Sequence, residues 1–214
     1  MSSNSSLKLN WKNFLIYSKN KIELFVTVIL LAAILIFFSQ FLLFVEERAG
    51  VIFSDPILNL FSPIDLTWFT FTLIYLSLLI ALIELIKNPE KLLLALQCYG
   101  LMVVFRAIAM YLLPLEAPST LLLLNDPFVQ LFGEGNILEK DLFFSGHTAT
   151  LFLLFLVTTK RSLKIIFLIF TTLVAISVIL QHVHYSIDVF AAPFFSYTSY
   201  RVILFFKEKE TNNV

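Results

Sequence analysis

Uninterrupted apolar stretches of about 20 residues constrain this chain more than any other feature. The hydrocarbon core of a bilayer is roughly 30 Å thick, and a helix crosses it in about 17–25 mostly apolar residues. Leu24 to Val45 is the cleanest run, with Ser39 and Gln40 its only strongly polar members. Leu66 to Leu85, Leu92 to Leu113, Phe143 to Thr159, Leu163 to Leu180 and Ile187 to Phe206 follow. Of the 214 residues, 59% are hydrophobic and 14% charged, against roughly 25% charged in soluble domains. A water-soluble domain of this size could not cover that apolar surplus with polar surface, and a disordered chain would not carry it. The expected fold class is therefore all-α: a polytopic membrane protein built as a bundle of six transmembrane helices. One domain spans residues 24–206, preceded by an interfacial segment over 1–23 and followed by a tail over 207–214.

The first run exceeds a signal-peptide core of roughly 7–15 residues, so it is expected to stay as a span. Before it, Trp11, Phe14 and Tyr17 sit among lysines, a mixture suited to a short helix on the membrane surface. The single cysteine, Cys98, excludes an internal disulfide and any cysteine metal cluster. Gly133-Glu134-Gly135 lacks the spacing and the lysine of a phosphate loop and is expected to be a turn.

The net charge of +0 conceals a polarised molecule. With the amino terminus inside, Lys8, Lys12, Lys19, Lys21, Lys87, Lys91, Lys160, Arg161, Lys164, Arg201, Lys207 and Lys209 fall on the cytoplasmic face. The opposite face keeps only Arg48 and Lys140, and it collects Glu46, Glu47, Asp55, Asp65, Glu116, Asp126, Glu134, Glu139 and Asp141. Basic residues are retained on the cytoplasmic side, so both termini are expected there. The short loops and small size suggest a bacterial inner membrane, with the acidic face toward the periplasm or exterior.

Few ionisable groups lie within or at the mouths of spans, where a charge is expensive and usually turns toward protein. Arg106 lies in the third span, His147 opens the fourth, and His184 and Asp188 open the sixth. This topology delivers a cation, two imidazoles and a carboxylate to one depth on one side. His184 and Asp188 are four residues apart, one helical turn, so their side chains can meet. A histidine held by a carboxylate has a fixed tautomer and serves as nucleophile or base. Arg106 offers a planar fork to a phosphoryl group, and a helix opening near His147 would aim free N–H groups at an anion. Ser145, Gly146 and Thr148, with Lys140 and Tyr185 beside the two histidine segments, complete the candidate phosphate- and headgroup-binding set. Asp141 and His182 are expected to support it from behind. Phosphoryl transfer is the chemistry these groups suit. The competing readings are a structural ion pair at His184 and Asp188, and a metal site made by His147, His182, His184 and Asp188.

The run Asp141-Leu-Phe-Phe-Ser145-Gly146-His147-Thr148 and the run His182-Val-His184-Tyr185-Ser186-Ile187-Asp188-Val189 resemble two signatures of the type 2 phosphatidic acid phosphatase superfamily. They are closer to its sphingomyelin synthase branch, which places an aspartate four residues before Ser-Gly-His-Thr. Arg106-Ala-Ile-Ala-Met110-Tyr111, followed by Leu113-Pro114, resembles an Arg-xxx-Met-Tyr…Leu-Pro segment of that branch. The resemblance implies that His184 is the nucleophile and forms a phosphohistidine, that Asp188 orients it, and that His147 protonates the departing alkoxide and then deprotonates the acceptor. It implies no metal and no other cofactor. The expected reaction moves a phosphocholine- or phosphoethanolamine-type headgroup from a glycerophospholipid to ceramide or diacylglycerol. The expected partners are thus a phospholipid donor and a lipid or water acceptor, and no nucleic acid.

Departures from the family pattern leave other readings open. The Lys-x6-Arg-Pro motif and the upstream Ser-Arg pair of the phosphatase branch are absent, since Ser177 is followed by Val178. Asp55-Pro56 and Pro63-Ile64-Asp65 only loosely replace the Pro-Leu-Pro-Asp motif of sphingomyelin synthases. The alternatives are a lipid phosphate phosphatase or phospholipase C-like hydrolase using water, a metal-dependent membrane hydrolase, and a transporter or scaffold without chemistry.

Overall fold

The computed structural model describes residues 2–124 and 138–212, with side chains over 7–124 and 138–209; Asp126, Glu134 and the Gly133-Glu134-Gly135 turn lie outside them. The described residues are all-helical with no strand, and the helices are α1 (Ser2–Ile16), α2 (Ser18–Glu47), α3 (Thr67–Leu85), α4 (Pro89–Leu112), α5 (Gly146–Val157), α6 (Arg161–Leu180) and α7 (Ser186–Asn212). Five of these, α2, α3, α4, α6 and α7, are long and apolar enough to cross a membrane. Large exposed side chains such as Phe25, Ile36, Phe37, Leu79, Ile83, Ile176, Phe190 and Phe205 would make a water-soluble surface untenable. They are the lipid-facing belt of an integral membrane protein.

Phe143 to Thr159, the fourth of the six expected spans, is not among these five. Helix there covers only Gly146–Val157, 12 residues, or about 18 Å at 1.5 Å per residue. This is well short of the bilayer core. Its short length fits its place, because α5 is central: Gly146, Thr148, Ala149, Leu151, Leu153, Leu154 and Val157 are buried, and it packs on α6, α7, α4 and α3. By contrast, α2 buries only Thr27, Phe38 and Val45.

Local chemistry sets the helix ends. Asn88 caps α4, its side chain accepting from Lys91 N at 3.2 Å, with Pro89 at the first helical position and Glu90 in the first turn, where a missing N–H and a negative charge are both favourable. Ser145 caps α5 by accepting from Thr148 N at 3.4 Å. Polar side chains stitch the helices together inside the bundle, where each must find a partner. Thr70 Oγ1 donates to Ser177 Oγ at 2.8 Å, and Gln181 Nε2 donates to Thr67 Oγ1 at 3.1 Å, tying α3 to α6. Ser196 Oγ donates to Ala149 O at 2.8 Å, tying α7 to α5.

The two ends of the bundle differ in charge. At one end α1 is pinned by Trp11 Nε1 donating to Ile86 O at 2.8 Å and Asn10 Nδ2 to Lys87 O at 2.8 Å. Lys160 pairs there with Glu84 at 2.8 Å, and Lys207 with Glu23 at 2.7 Å. The other end is covered by the segments over 48–66 and 113–124. Val51 N donates to Pro114 O at 2.9 Å, Glu116 N to Val51 O at 3.0 Å, and Ile64 N to Leu180 O at 2.8 Å. Gly50 is required at this contact, because a Cβ there would lie 2.6 Å from the Leu115 carbonyl carbon.

Candidate active site

The acidic end holds Arg106, Asp141, His147, His184 and Asp188. Arg106, in the last turns of α4, is held at three points by the segment leading into α5. Its Nε donates to Phe144 O at 3.0 Å, and its Nη2 meets the Asp141 carboxylate at 2.8 Å and Asp141 O at 3.5 Å. The Phe38 ring of α2 lies beneath the guanidinium at 5.6 Å, a favourable stack for a delocalised cation. The guanidinium rests against Gly146, where a Cβ would fall 2.6 Å from Arg106 Cζ. Glycine at the head of α5 is therefore what lets Arg106 reach the site.

His147 follows directly. Its ring lies 6.3 Å from the His184 ring and 6.1 Å from Phe71, both edge-on. His184 Nδ1 faces Asp188 Oδ2 at 3.4 Å, with the two side chains 2% and 0% exposed. The same carboxylate oxygen accepts from Tyr185 N at 3.1 Å, and Asp188 O accepts from Ser145 N at 3.0 Å. The first turn of α7 and the cap of α5 are thereby locked together, which sets the His184–Asp188 pair beside His147, one residue on from the Gly146 that Arg106 touches.

The two histidines of His-Val-His part company for a backbone reason. Beyond α6, His182 N donates to Ile179 O at 2.9 Å and Val183 N to Val178 O at 3.0 Å, the paired bonds of a Schellman helix end. His182 occupies its left-handed position, with φ 57°, where glycine is usual. Its Nδ1 faces Thr120 Oγ1 at 2.5 Å and its ring packs edge-on to Phe61 at 5.2 Å. Burial pushes its pKa below the ordinary histidine value, although the Asp55 carboxylate opposes that shift. Among the described residues no group of three His, Cys, Asp or Glu side chains is placed to hold a metal ion. The His147, His182, His184 and Asp188 ligand set is therefore not assembled.

Other expected site residues have different neighbours. Lys140 Nζ bonds Glu116 Oε1 at 3.0 Å and Arg48 O at 2.9 Å, while its backbone N donates to Glu46 Oε2 at 3.1 Å. Tyr185 is buried; its OH donates to Glu116 O at 2.9 Å and accepts from Phe53 N at 3.3 Å. Ser145 and Thr148 are buried and bond each other. None of these four lines the cleft described next.

That cleft, of about 560 Å³, runs between α3 and α4 over α5. It arises because α3 leans on α6 whereas α4 leans on α2 and α7. Its walls are apolar from Leu85 and Leu92 to Phe71 and Met102, and it ends at Arg106, Asp141, Gly146 and His147. Arg106 lies 14 residues beyond Leu92 along α4, about 21 Å. An apolar slot with a charged end suits a lipid lying with its phosphate toward Arg106.

Sequence reasoning missed Asp55 as a site component. Its Oδ2 accepts from Ser186 N at 2.5 Å, at the first residue of α7, and its Oδ1 from Ile57 N at 2.8 Å. Burial raises the Asp55 pKa, but the hydrogen bonds from Ser186, Ile57 and Leu58 outweigh it and hold the carboxyl below its ordinary value. The Asx-type turn to Ile57 was visible in Asp55-Pro56; the bond across 131 residues was not.

Residues 140–205 match a family model described as PAP2 superfamily C-terminal. That match supports the superfamily. It covers the run from Lys140 through His147, His184 and Asp188 into α7, and it points to phosphatase- or phosphotransferase-type chemistry on lipids in a membrane protein. No curated protein and no solved structure matches the chain.

Proposed function

We propose that the chain is a lipid phosphotransferase of the sphingomyelin synthase-like branch. It moves a phosphoalcohol headgroup from a glycerophospholipid to a lipid hydroxyl, that of ceramide or diacylglycerol. The observation that carries this reading is the apolar cleft ending at Arg106 and His147, with the His184–Asp188 pair directly behind. Asp188 takes the Nδ1–H of His184 and leaves Nε2 as nucleophile. Nε2 attacks phosphorus, the P–O bond to the diacylglycerol oxygen breaks, and His147 supplies the proton that oxygen needs. His147 then removes the proton of the acceptor hydroxyl, whose oxygen attacks the phosphorus and frees His184. His147 stands between the cleft and His184, so a turn of its ring admits the phosphoester. Arg106 balances the phosphoryl charge through its planar fork. The hydrolase reading uses the same residues with water as the acceptor.

The site lies at the acidic end, which by the distribution of basic residues faces away from the cytoplasm; in a bacterial inner membrane that is the periplasmic side. Incubation of the reconstituted protein with headgroup-labelled phospholipids, with and without ceramide or diacylglycerol, tests the reading. Label appearing on the added lipid is the expected result. Label released only as free phosphate or phosphoalcohol would assign a hydrolase instead, and no reaction on any donor would leave a scaffold. Unchanged turnover in EDTA is expected, and its loss would favour the metal-dependent alternative.

A further inference from the structure

The walls of the cleft that ends at Arg106 are largely apolar, yet α4 carries a hydroxyl into it. Tyr99 lines the cleft seven residues before Arg106. Seven residues are close to two full turns, so the two side chains leave α4 on one face, about 10 Å apart along its axis. The Tyr99 ring is partly buried and packs against the group that includes Phe38 and Val103, so the bundle sets its position. Its hydroxyl bonds nothing among the described residues, is not sealed off from the cleft, and lies within electrostatic reach of Arg106 and Asp141. Tyr75, which lines the cleft from α3, differs: its ring stacks on Phe71 at 5.9 Å and it has partners within the protein. A tyrosine hydroxyl in apolar surroundings usually finds an acceptor. A lipid filling the cleft displaces water from it, and the acceptor must then come from the lipid.

We propose that Tyr99 is a specificity residue: its O–H donates to an acyl ester carbonyl of the donor phospholipid, so the cleft prefers diacyl donors to dialkyl ethers. The inference rests on the reading above that places the donor's phosphate at Arg106. With the phosphate there and the chains running toward Leu85 and Leu92, the groups next to the phosphate along the molecule are the glycerol esters. Nothing deeper in the lipid can accept, because the chains are hydrocarbon. An ester carbonyl is a good acceptor, whereas an ether oxygen at the same place is a poor one. The acceptor lipid has no phosphate to anchor at Arg106 and does not share this register. Phenylalanine fills the same volume as tyrosine without the hydroxyl, so one substitution isolates the bond. Tyr99 touches no reacting atom, and its effect falls on which donor binds rather than on the chemistry at phosphorus.

The experiment is competition photolabelling of the full chain in dodecyl maltoside micelles, which carry no ester. A diacyl phospholipid with a diazirine chain labels the cleft peptides over 71–85 and 92–106. Unlabelled diacyl and dialkyl lipids of the same headgroup (choline or ethanolamine) and chain length compete with it, on ice, so that binding alone is read. The dialkyl lipid is expected to compete about fivefold more weakly, the worth of one hydrogen bond to a neutral acceptor. Tyr99→Phe should weaken the diacyl lipid to the dialkyl level and erase the difference. Tyr197→Phe, exposed on α7, should retain it, and the unfolding midpoint checks that both variants fold. The ratio in the unmodified protein needs no variant. Equal competition there, a difference that survives in folded Tyr99→Phe, or no protection of the cleft peptides by either lipid would overturn the proposal. Fivefold selectivity without headgroup turnover would sink the transfer reading and leave this one standing; turnover without selectivity would do the reverse.

Discussion

Two polar networks share the acidic end of the bundle, and neighbours in sequence belong to different ones. Arg106, Asp141, His147, His184 and Asp188 form a line that meets the apolar cleft. Asp55, Glu116, Lys140 and Tyr185 form a clasp that ties the 48–66 and 113–124 segments to the start of α7. Lys140 adjoins Asp141 and Tyr185 adjoins His184, yet each pair is split between the networks. The lesson is that neighbours in a motif need not share a network: the Lys140 and Tyr185 side chains bond the scaffold, whereas Asp141 meets Arg106 and His184 meets Asp188.

The comparison breaks first if the line is not catalytic. His184→Ala should lower headgroup turnover by on the order of 10⁴-fold, as for removal of a nucleophile elsewhere, with expression and unfolding midpoint unchanged; turnover near that of the unmodified protein would remove His184 from the mechanism. Next in size, Arg106→Lys keeps the charge but loses the fork, and Gly146→Ala drives a methyl into the guanidinium. Each should cost about 10²-fold in kcat/KM, measured on the same labelled donor. If Gly146→Ala were fully active, Arg106 would not need its present seat.

Changes in the clasp should act on stability instead. Asp55→Asn weakens a charge-assisted bond to Ser186 N and should cost about 1–2 kcal/mol of unfolding free energy, with turnover reduced less than tenfold. Because the Asp55 carboxyl sits below its ordinary range when folded, its contribution is complete above the unfolded value of about 3.9 and is lost as the pH falls through the lower folded value. Acid unfolding of Asp55→Asn should therefore be flatter than that of the parent in that window. A loss growing above pH 5 would contradict the assignment. The smallest effect belongs to Tyr185→Phe, which should lose about 1 kcal/mol and change kcat/KM by less than about twofold. A large kinetic loss with intact stability would move Tyr185 into the line and erase the distinction between the networks.

Much of this was legible in the chain. Hydrophobic length alone yields the five long helices, and one-turn spacing puts His184 beside Asp188. Two features escaped for physical reasons. Phe143 to Thr159 is apolar enough to span, but Ser145 caps the helix only at its own position and α5 is buried in protein, so hydropathy could not reveal its short length. The roles of Asp55, Lys140 and Tyr185 depend on bonds across 131, 24 and 69 residues, which no local pattern encodes. His182 shows the same limit: the pattern His-Val-His suggests a pair, and only the left-handed helix end separates its members.

The central claim is that His184, behind His147 at the end of the cleft, takes the phosphorus of a lipid headgroup. Rapid acid-free quenching of turnover with a headgroup-labelled phospholipid, followed by peptide mass spectrometry, tests it most directly. The account predicts an acid-labile phosphoryl adduct on His184, absent from His184→Ala and accumulating in Asp188→Asn or His147→Gln if discharge is slowed more than formation. An adduct on another residue, or full turnover by His184→Ala, would contradict it.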